Sequence, residues 1–250
     1  MHTKKTVNHI GLDTLELMKG IIHIFTMGYK HHGVNTGGIP VDYIKRFVDA
    51  YNIQYFIETG TAGGESIRAM APMFKQCHTI EIVEYRAEGL PYPENVVLHN
   101  GDSAKLLHEI SKPYLGERVL FWLDAHWSEP YESDINVTCE CPLLDEIQAI
   151  QGHNALILID DARLLFGAPP WPNDPSKWPR FMDVFKRLHD CFPLHWISVV
   201  DDYIICYPDY MRDTFRDEWR ERFTERYPSE ETLLKQGVKK GFEAFKKYIE

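Results

Sequence analysis

The stretch Glu58-Thr59-Gly60-Thr61-Ala62-Gly63-Gly64-Glu65-Ser66 combines acids, glycines and small hydroxyl residues. Glycines let a backbone approach a ligand closely, and a helix starting behind them offers free N–H groups. This is not the dinucleotide pattern: G-x-G-x-x-G needs glycine where Ala62 stands, and Glu58 would repel a pyrophosphate. A carboxylate there suits a ligand with a positive end. Glu81 follows Gly60 by 21 residues, a spacing at which an acid can accept hydrogen bonds from both hydroxyls of a ribose. Asp102-Ser103 comes next. A second constellation is Asp124-Ala125-His126-Trp127 with Asp160-Asp161. Carboxylates that converge repel one another unless a cation joins them, and Mg²⁺ takes such oxygen ligands while keeping open positions.

These residues need a scaffold that brings them together. From residue 43 onward the pattern alternates strand and helix. Helices are expected over 43–51, 66–74, 103–110, 142–150 and 178–189. Strands are expected over 55–57, 78–83, 96–99, 119–123, 155–159, 195–200 and 203–207. The strands read as near-continuous apolar runs, as strands buried on both faces do. The expected fold is therefore α/β: a Rossmann-like, doubly wound parallel sheet with helices on both faces. The tight joint Asp201-Asp202 makes the last strand pair antiparallel. In such a sheet ligands bind beyond the carboxyl ends of the strands, where all the residues above fall.

S-adenosylmethionine fits the loop chemistry, having an amino group, a sulfonium and a ribose but no phosphate. On Glu58-x-Gly60-x-x-Gly63, Glu81 and Asp102 the sequence resembles the class I S-adenosylmethionine-dependent methyltransferases, over about residues 43–208. The resemblance implies a seven-stranded sheet of order 3-2-1-4-5-7-6. It implies cofactor contacts from Glu58, Gly60, Thr61, Gly63, Ser66, Glu81 (ribose), Asp102 (adenine), Ser103 and Asp124. The second constellation resembles the metal-dependent O-methyltransferases, more the macrocin type that methylates sugar hydroxyls than the catechol type. That implies Mg²⁺, or another divalent cation, on Asp124, Asp160 and Asp161. The catechol type has a lysine base just after its tryptophan, where Ser128 stands here, which leaves His126 with Asp124 as the catalytic candidates.

The chemistry implied is Mg²⁺-dependent methyl transfer to a hydroxyl of a small polyhydroxylated acceptor, a sugar or glycoside. Two alternatives stay open: a metal-independent methyltransferase with Asp124 and His126 as acid–base pair, and a non-catalytic binding module. Individual residues also have bland readings. Asp160-Asp161 could cap a helix, His126 could be structural, Asp201-Asp202 reads as turn chemistry and Asp145-Glu146 as a solvated face. Trp127, Arg163 and Trp171 are the expected acceptor contacts, the last two on the proline-rich stretch after Asp161. Residues 128–140 form a second expected wall.

Composition narrows the class. Of 250 residues, 44% are hydrophobic and 26% charged, ordinary for a globular chain. The net charge of −10 argues against nucleic acid as partner. No apolar run is long enough for a membrane span or a signal peptide, and five cysteines without a C-x-x-C read as reduced thiols, so the expected place is the cytoplasm. The chain divides on pattern into residues 1–42 (a helix and a glycine-rich flap), 43–208 (the cofactor-binding domain) and 209–250. This last segment holds ten acidic and ten basic residues with two apolar stripes at helical spacing, a candidate surface for homo-oligomers.

Overall fold

The computed structural model describes residues 38–83, 91–127, 139–167, 169–171, 173–200 and 202–217. The chain divides into two units, Asn35–Thr214 and a second made of Met1–Val34 with Phe215–Glu250. Nearly all described residues belong to the first. The expected N-terminal helix, most of the glycine-rich flap, the wall over 128–138 and the charged stripes beyond residue 217 lie outside the described residues.

The first unit alternates helix and strand. In chain order it runs α1 (Val41–Tyr51), β1 (Tyr55–Thr59), α2 (Glu65–Met70), β2 (Gln76–Glu81), β3 (Val96–Asn100), α3 (Ser103–Ser111) and β4 (Arg118–Leu123). It continues with α4 (Leu143–Ala149), β5 (Asn154–Ile159), α5 (Ala162–Phe166), α6 (Phe181–Cys191), β6 (His195–Val200) and β7 (Tyr203–Pro208). The seven strands form one sheet of order β3-β2-β1-β4-β5-β7-β6. β1 to β5 pair in parallel, while β7 runs antiparallel to both β5 and β6. The central strands are the apolar ones: Val119–Leu123 and Ala155–Ile159 are wholly buried. The edge strands β3 and β6 keep exposed positions at Val97, Trp196 and Val199, as edges facing solvent must.

The core on the face that carries the site joins Phe121, Leu123, Ile157 and Ile159 of the sheet to Leu107 of α3, Ile147 of α4 and Val184 and Leu188 of α6. Each of these helices presents one apolar stripe, as the i, i+4, i+7 run Val184, Leu188 and Cys191 illustrates. Truncating a fully buried ring such as Phe121 to alanine would cost about 3–5 kcal/mol.

Element boundaries differ from the sequence expectation where proline intervenes. α2 stops at Met70, and Pro72 sits in the 3₁₀ turn Ala71–Met73 that follows. α6 begins at Phe181 rather than Trp178, because Pro179 disfavours the helical conformation of the residue before it. α5 was not expected. It is one turn long, too short to show a period, and follows Asp161 in a left-handed conformation (φ 54°). Among the described residues no helix is long and apolar enough to cross a membrane.

Candidate functional site

The carboxyl ends of β1, β2, β4 and β5 carry the chemistry. β1 passes into the glycine loop through Gly60, whose N–H donates to the carbonyl of Ile80 (2.9 Å). Gly60 has φ 80°, and a Cβ there would stand 2.4 Å from the carbonyl oxygen of Asp124. Both the conformation and the close approach require glycine. Ala62, also at positive φ (42°), donates its N–H to Glu81 Oε2 (2.8 Å), and Val83 N–H donates to Glu81 Oε1 (2.9 Å). Glu81 thus fixes the loop by its backbone, with further lone pairs free on each oxygen.

Two expected contact residues are turned inward. Glu58 is fully buried, and Thr79 Oγ1 donates to its Oε1 (2.8 Å). Thr79 has only one hydroxyl proton, so Thr61 must be the donor in the 2.5 Å Thr61–Thr79 contact. Burial pushes the Glu58 carboxyl well above its usual range, against the Thr79 hydrogen bond. Its second oxygen, Oε2, is a buried acceptor without a partner among the described residues. Gly63 accepts a hydrogen bond from Arg68 Nη2 (2.7 Å), and Ser66 lies in the first turn of α2. Asp102 is the N-cap of α3, accepting from Ala104 N–H (3.1 Å) and pairing with Lys105 (2.9 Å). Ser103, behind it, is buried.

The second half of the site is a chain of charges. His126 lies between two carboxylates, Nδ1 at 3.3 Å from Asp124 Oδ1 and Nε2 at 2.8 Å from Asp161 Oδ2. Asp161 also pairs with Arg163 Nη1 (2.5 Å), and the same guanidinium pairs with Asp202. Asp160 Oδ1 accepts the N–H of Asp161 (2.8 Å). Carboxylate oxygens of Asp160, Asp161 and Asp202 fall within 4.8 Å of one another. Burial works against a charged His126, but the hydrogen bond to Asp161 and the charges of Asp124, Asp161 and Asp160 outweigh it and raise its pKa to about 9. Burial and the Asp161 charge raise Asp160 to about 6, and burial likewise pushes Asp124 up. Asp161 is held below the carboxylate range because His126 and Arg163 overcome its burial.

Two expectations need correction. Asp202 is not merely turn chemistry. It is buried, receives Arg163 N–H on Oδ1 (2.9 Å) and joins the cluster through the Arg163 side chain. Glu146 is not on a solvated face: α3 and α6 pack on α4 from both sides, leaving it 1% exposed. Burial raises its carboxyl to about 7, against hydrogen bonds from Ser103 and Thr59. Asp161 occupies the N-cap position of α5 without a side-chain capping bond, so its carboxylate stays with His126 and Arg163.

Beside this cluster opens a small cavity. His126, Asp160, Asp161 and Glu146 supply its polar groups, and Leu143, Leu165 and Trp178 are among its apolar walls. Of the expected acceptor contacts, Trp171 stands 90% exposed and does not line it. Arg163 is half exposed with its guanidinium engaged by Asp161 and Asp202. Trp127 is half-buried, its backbone N–H donating to the Glu140 carbonyl (2.8 Å). Trp178, an aromatic of the same proline-rich stretch, does line the cavity, and Glu140, at the end of the expected wall over 128–140, is the residue that sequence reasoning did not single out. All five cysteines are free thiols.

Among the described residues four carboxylates face two cationic side chains, His126 and Arg163. The three that converge are Asp160, Asp161 and Asp202, while Asp124, expected as the third ligand, stands across the His126 ring from Asp161. Such an excess of hard oxygen donors fits a divalent cation of the Mg²⁺ kind.

No family model and no curated protein matches the sequence. Among solved structures, the chain is similar to an O-methyltransferase from Bacillus cereus in complex with SAH (14% identity, TM-score 0.48, covering 75% of this chain and 90% of that one). It is also similar to the SAH-bound methyltransferase PaMTH1 of Podospora anserina (13%, 0.44, 84% and 100%). A third is the O-methyltransferase TomG of Streptomyces achromogenes in complex with SAM (16%, 0.43, 67% and 78%). The sheet order given above rests on the strand pairing itself and is independent of these likenesses.

Proposed function

We propose that the chain transfers a methyl group from S-adenosylmethionine to a hydroxyl of a small polyhydroxylated acceptor, a sugar or glycoside, with the help of Mg²⁺ or another divalent cation. The observation that carries this reading is the double role of Asp124. Its backbone closes on the glycine loop, with N–H donated to Thr59 O (3.1 Å) and its carbonyl filling the space a Gly60 side chain would need. Its carboxylate belongs to the charged cluster, facing His126. A ligand cradled by the loop and a group activated by the cluster would therefore meet at the end of β4.

The residues divide the work. Gly60 and its neighbours admit the cofactor backbone-close, and Glu81 has lone pairs left for ribose hydroxyls. A divalent cation on Asp160 and Asp161, whose oxygens converge with those of Asp202, and with Asp124 as the further expected ligand, would lower the pKa of an acceptor hydroxyl. With those carboxylates neutralised, His126 would lose much of the charge that holds its proton and could serve as the base. His126 takes the hydroxyl proton while the oxygen attacks the methyl carbon. The carbon–sulfur bond breaks with its electron pair going to sulfur, which turns the sulfonium into a neutral thioether. Asp161, bonded to Nε2 and itself held by Arg163, fixes the imidazole in place.

A second reading has its own observation. His126 already stands between Asp124 and Asp161 as a cation of the chain itself, an arrangement an acid–base pair could use without metal. Turnover of methyl-labelled S-adenosylmethionine on pooled glycosides, with Mg²⁺ and with EDTA, separates the two. Loss of label transfer in EDTA supports the cation, and undiminished transfer overturns it. No transfer to any acceptor, with cofactor bound, favours a non-catalytic module.

A further inference from the structure

Trp178 and Glu140 are joined by a tight set of contacts that the transfer chemistry does not explain. Glu140 is 6% exposed although it lies on an irregular segment. Its Oε2 accepts the indole N–H of Trp178 (3.0 Å) and the backbone N–H of Asp174 (2.9 Å), while Oε1 faces Lys177 Nζ at 3.2 Å. Its own carbonyl accepts the backbone N–H of Trp127. One residue thus ties the exit of β4 to the proline-rich segment before α6. The indole held in this way lies with its ring centre 5.5 Å from that of His126, tilted by 54°, and lines the cavity. Trp171, the other tryptophan of the segment, is out in solvent.

We propose that Trp178 is the flat wall of the acceptor cavity, and that Glu140 is the positioning residue that holds it against His126 and so sets which acceptors fit. This rests on the cavity being the acceptor site. A buried carboxylate costs desolvation, which its three donors offset. Trp178 is buried, so it meets an acceptor along the part of its indole that borders the cavity, where it offers a rigid apolar surface at low conformational cost. The bonding pattern also makes a sharp prediction. Both neutral donors use Oε2, so a glutamine with its amide oxygen there keeps the clamp and loses only the Lys177 pair.

The test compares wild type, Glu140→Gln, Glu140→Ala and Trp178→Phe by ¹⁵N NMR of the indole N–H groups and by the His126 ring resonances, with the SAH-induced melting shift as control. Trp178→Phe identifies the Trp178 signal. In wild type and Glu140→Gln that N–H is expected downfield and slow to exchange. In Glu140→Ala it moves upfield and exchanges at least tenfold faster, the His126 resonances move with it, and the SAH shift is unchanged. On any glycoside the label-transfer screen accepts, Glu140→Ala raises KM about tenfold with kcat within about twofold. Glu140→Gln restores KM. Unmoved Trp178 and His126 signals in Glu140→Ala would overturn the clamp. Moved signals with an unchanged KM would overturn its role in acceptor choice. Absence of any accepted glycoside, with SAH bound and signals as expected, would overturn the acceptor reading of the cavity while leaving the clamp intact. If Glu140→Ala does not fold, Trp178→Phe, which keeps an aromatic ring but loses the indole and its donor, must show the KM rise, or the proposal fails.

Discussion

The glycine-loop end of the sheet and the β4–β5 end differ in how far their polar groups are satisfied. At the loop, Glu81 holds two backbone N–H groups, Asp102 caps α3, and Thr61 and Thr79 donate in series toward Glu58, whose second oxygen is the acceptor left without a partner among the described residues. Little would need to reorganise there for a ligand to bind, and the fit is set by backbone shape. At the other end, four carboxylates share two cations, and Asp160 and His126 are both displaced from their ordinary proton affinities by their neighbours. That end is held together by charge and is left with a surplus of it. Ligand affinity should therefore reside in the first region, and sensitivity to cations and to single charge changes in the second.

Substitutions can break this contrast. The largest effect is expected from Gly60→Val. Its side chain would collide with the Asp124 carbonyl at a position of φ 80°, so SAH binding should vanish in calorimetry; retained affinity would mean that the loop is not the cradle. His126→Ala comes next, with turnover of labelled cofactor falling by roughly 10²–10⁴ while SAH affinity holds. An equal loss of both would merge the two regions into one. Asp160→Asn should act in opposite directions on function and stability. The amide keeps the bond to Asp161 N–H but removes one of the crowded charges. Without added cation the protein should gain roughly 1–3 kcal/mol in denaturant unfolding, while transfer activity is lost. A destabilised variant would show that the cluster is not charge-frustrated. The smallest effect belongs to Ala62→Gly. Relief of the positive φ is opposed by a more flexible unfolded chain, leaving stability within about 1 kcal/mol and SAH affinity unchanged.

The first region was far more legible from sequence than the second. Glycines, the Glu81 spacing and the Asp102 turn announce a parallel-sheet cradle because backbone geometry there is dictated locally. Strand positions came within a residue or two for the same reason: apolar runs such as Val119–Leu123 are short and sharply bounded. The sheet order came from resemblance, since pairing of distant strands leaves no local mark. The second region depends on loops that meet only in three dimensions. Nothing near Asp202 signals that the antiparallel return of β7 brings it to Arg163. Trp171 and Trp178 are alike in sequence, and it is Trp178 that packs into the core and meets Glu140. Glu146 could have been found. It lies three residues after Leu143 and four before Ile150, both buried, and so falls in the apolar stripe of its helix.

The central claim is that a cofactor cradle and a cation-hungry cluster meet at Asp124. It is tested most directly by the melting temperature with and without SAH, each in Mg²⁺ and in EDTA. SAH at about 100 times its dissociation constant should stabilise by ~2.7 kcal/mol, a rise of roughly 5–10 °C for a chain of this size. Mg²⁺ should add a further rise that EDTA abolishes and that Asp160→Asn lacks. No shift at saturating SAH would contradict the account, because the glycine loop would then hold no cofactor for the cluster to act on.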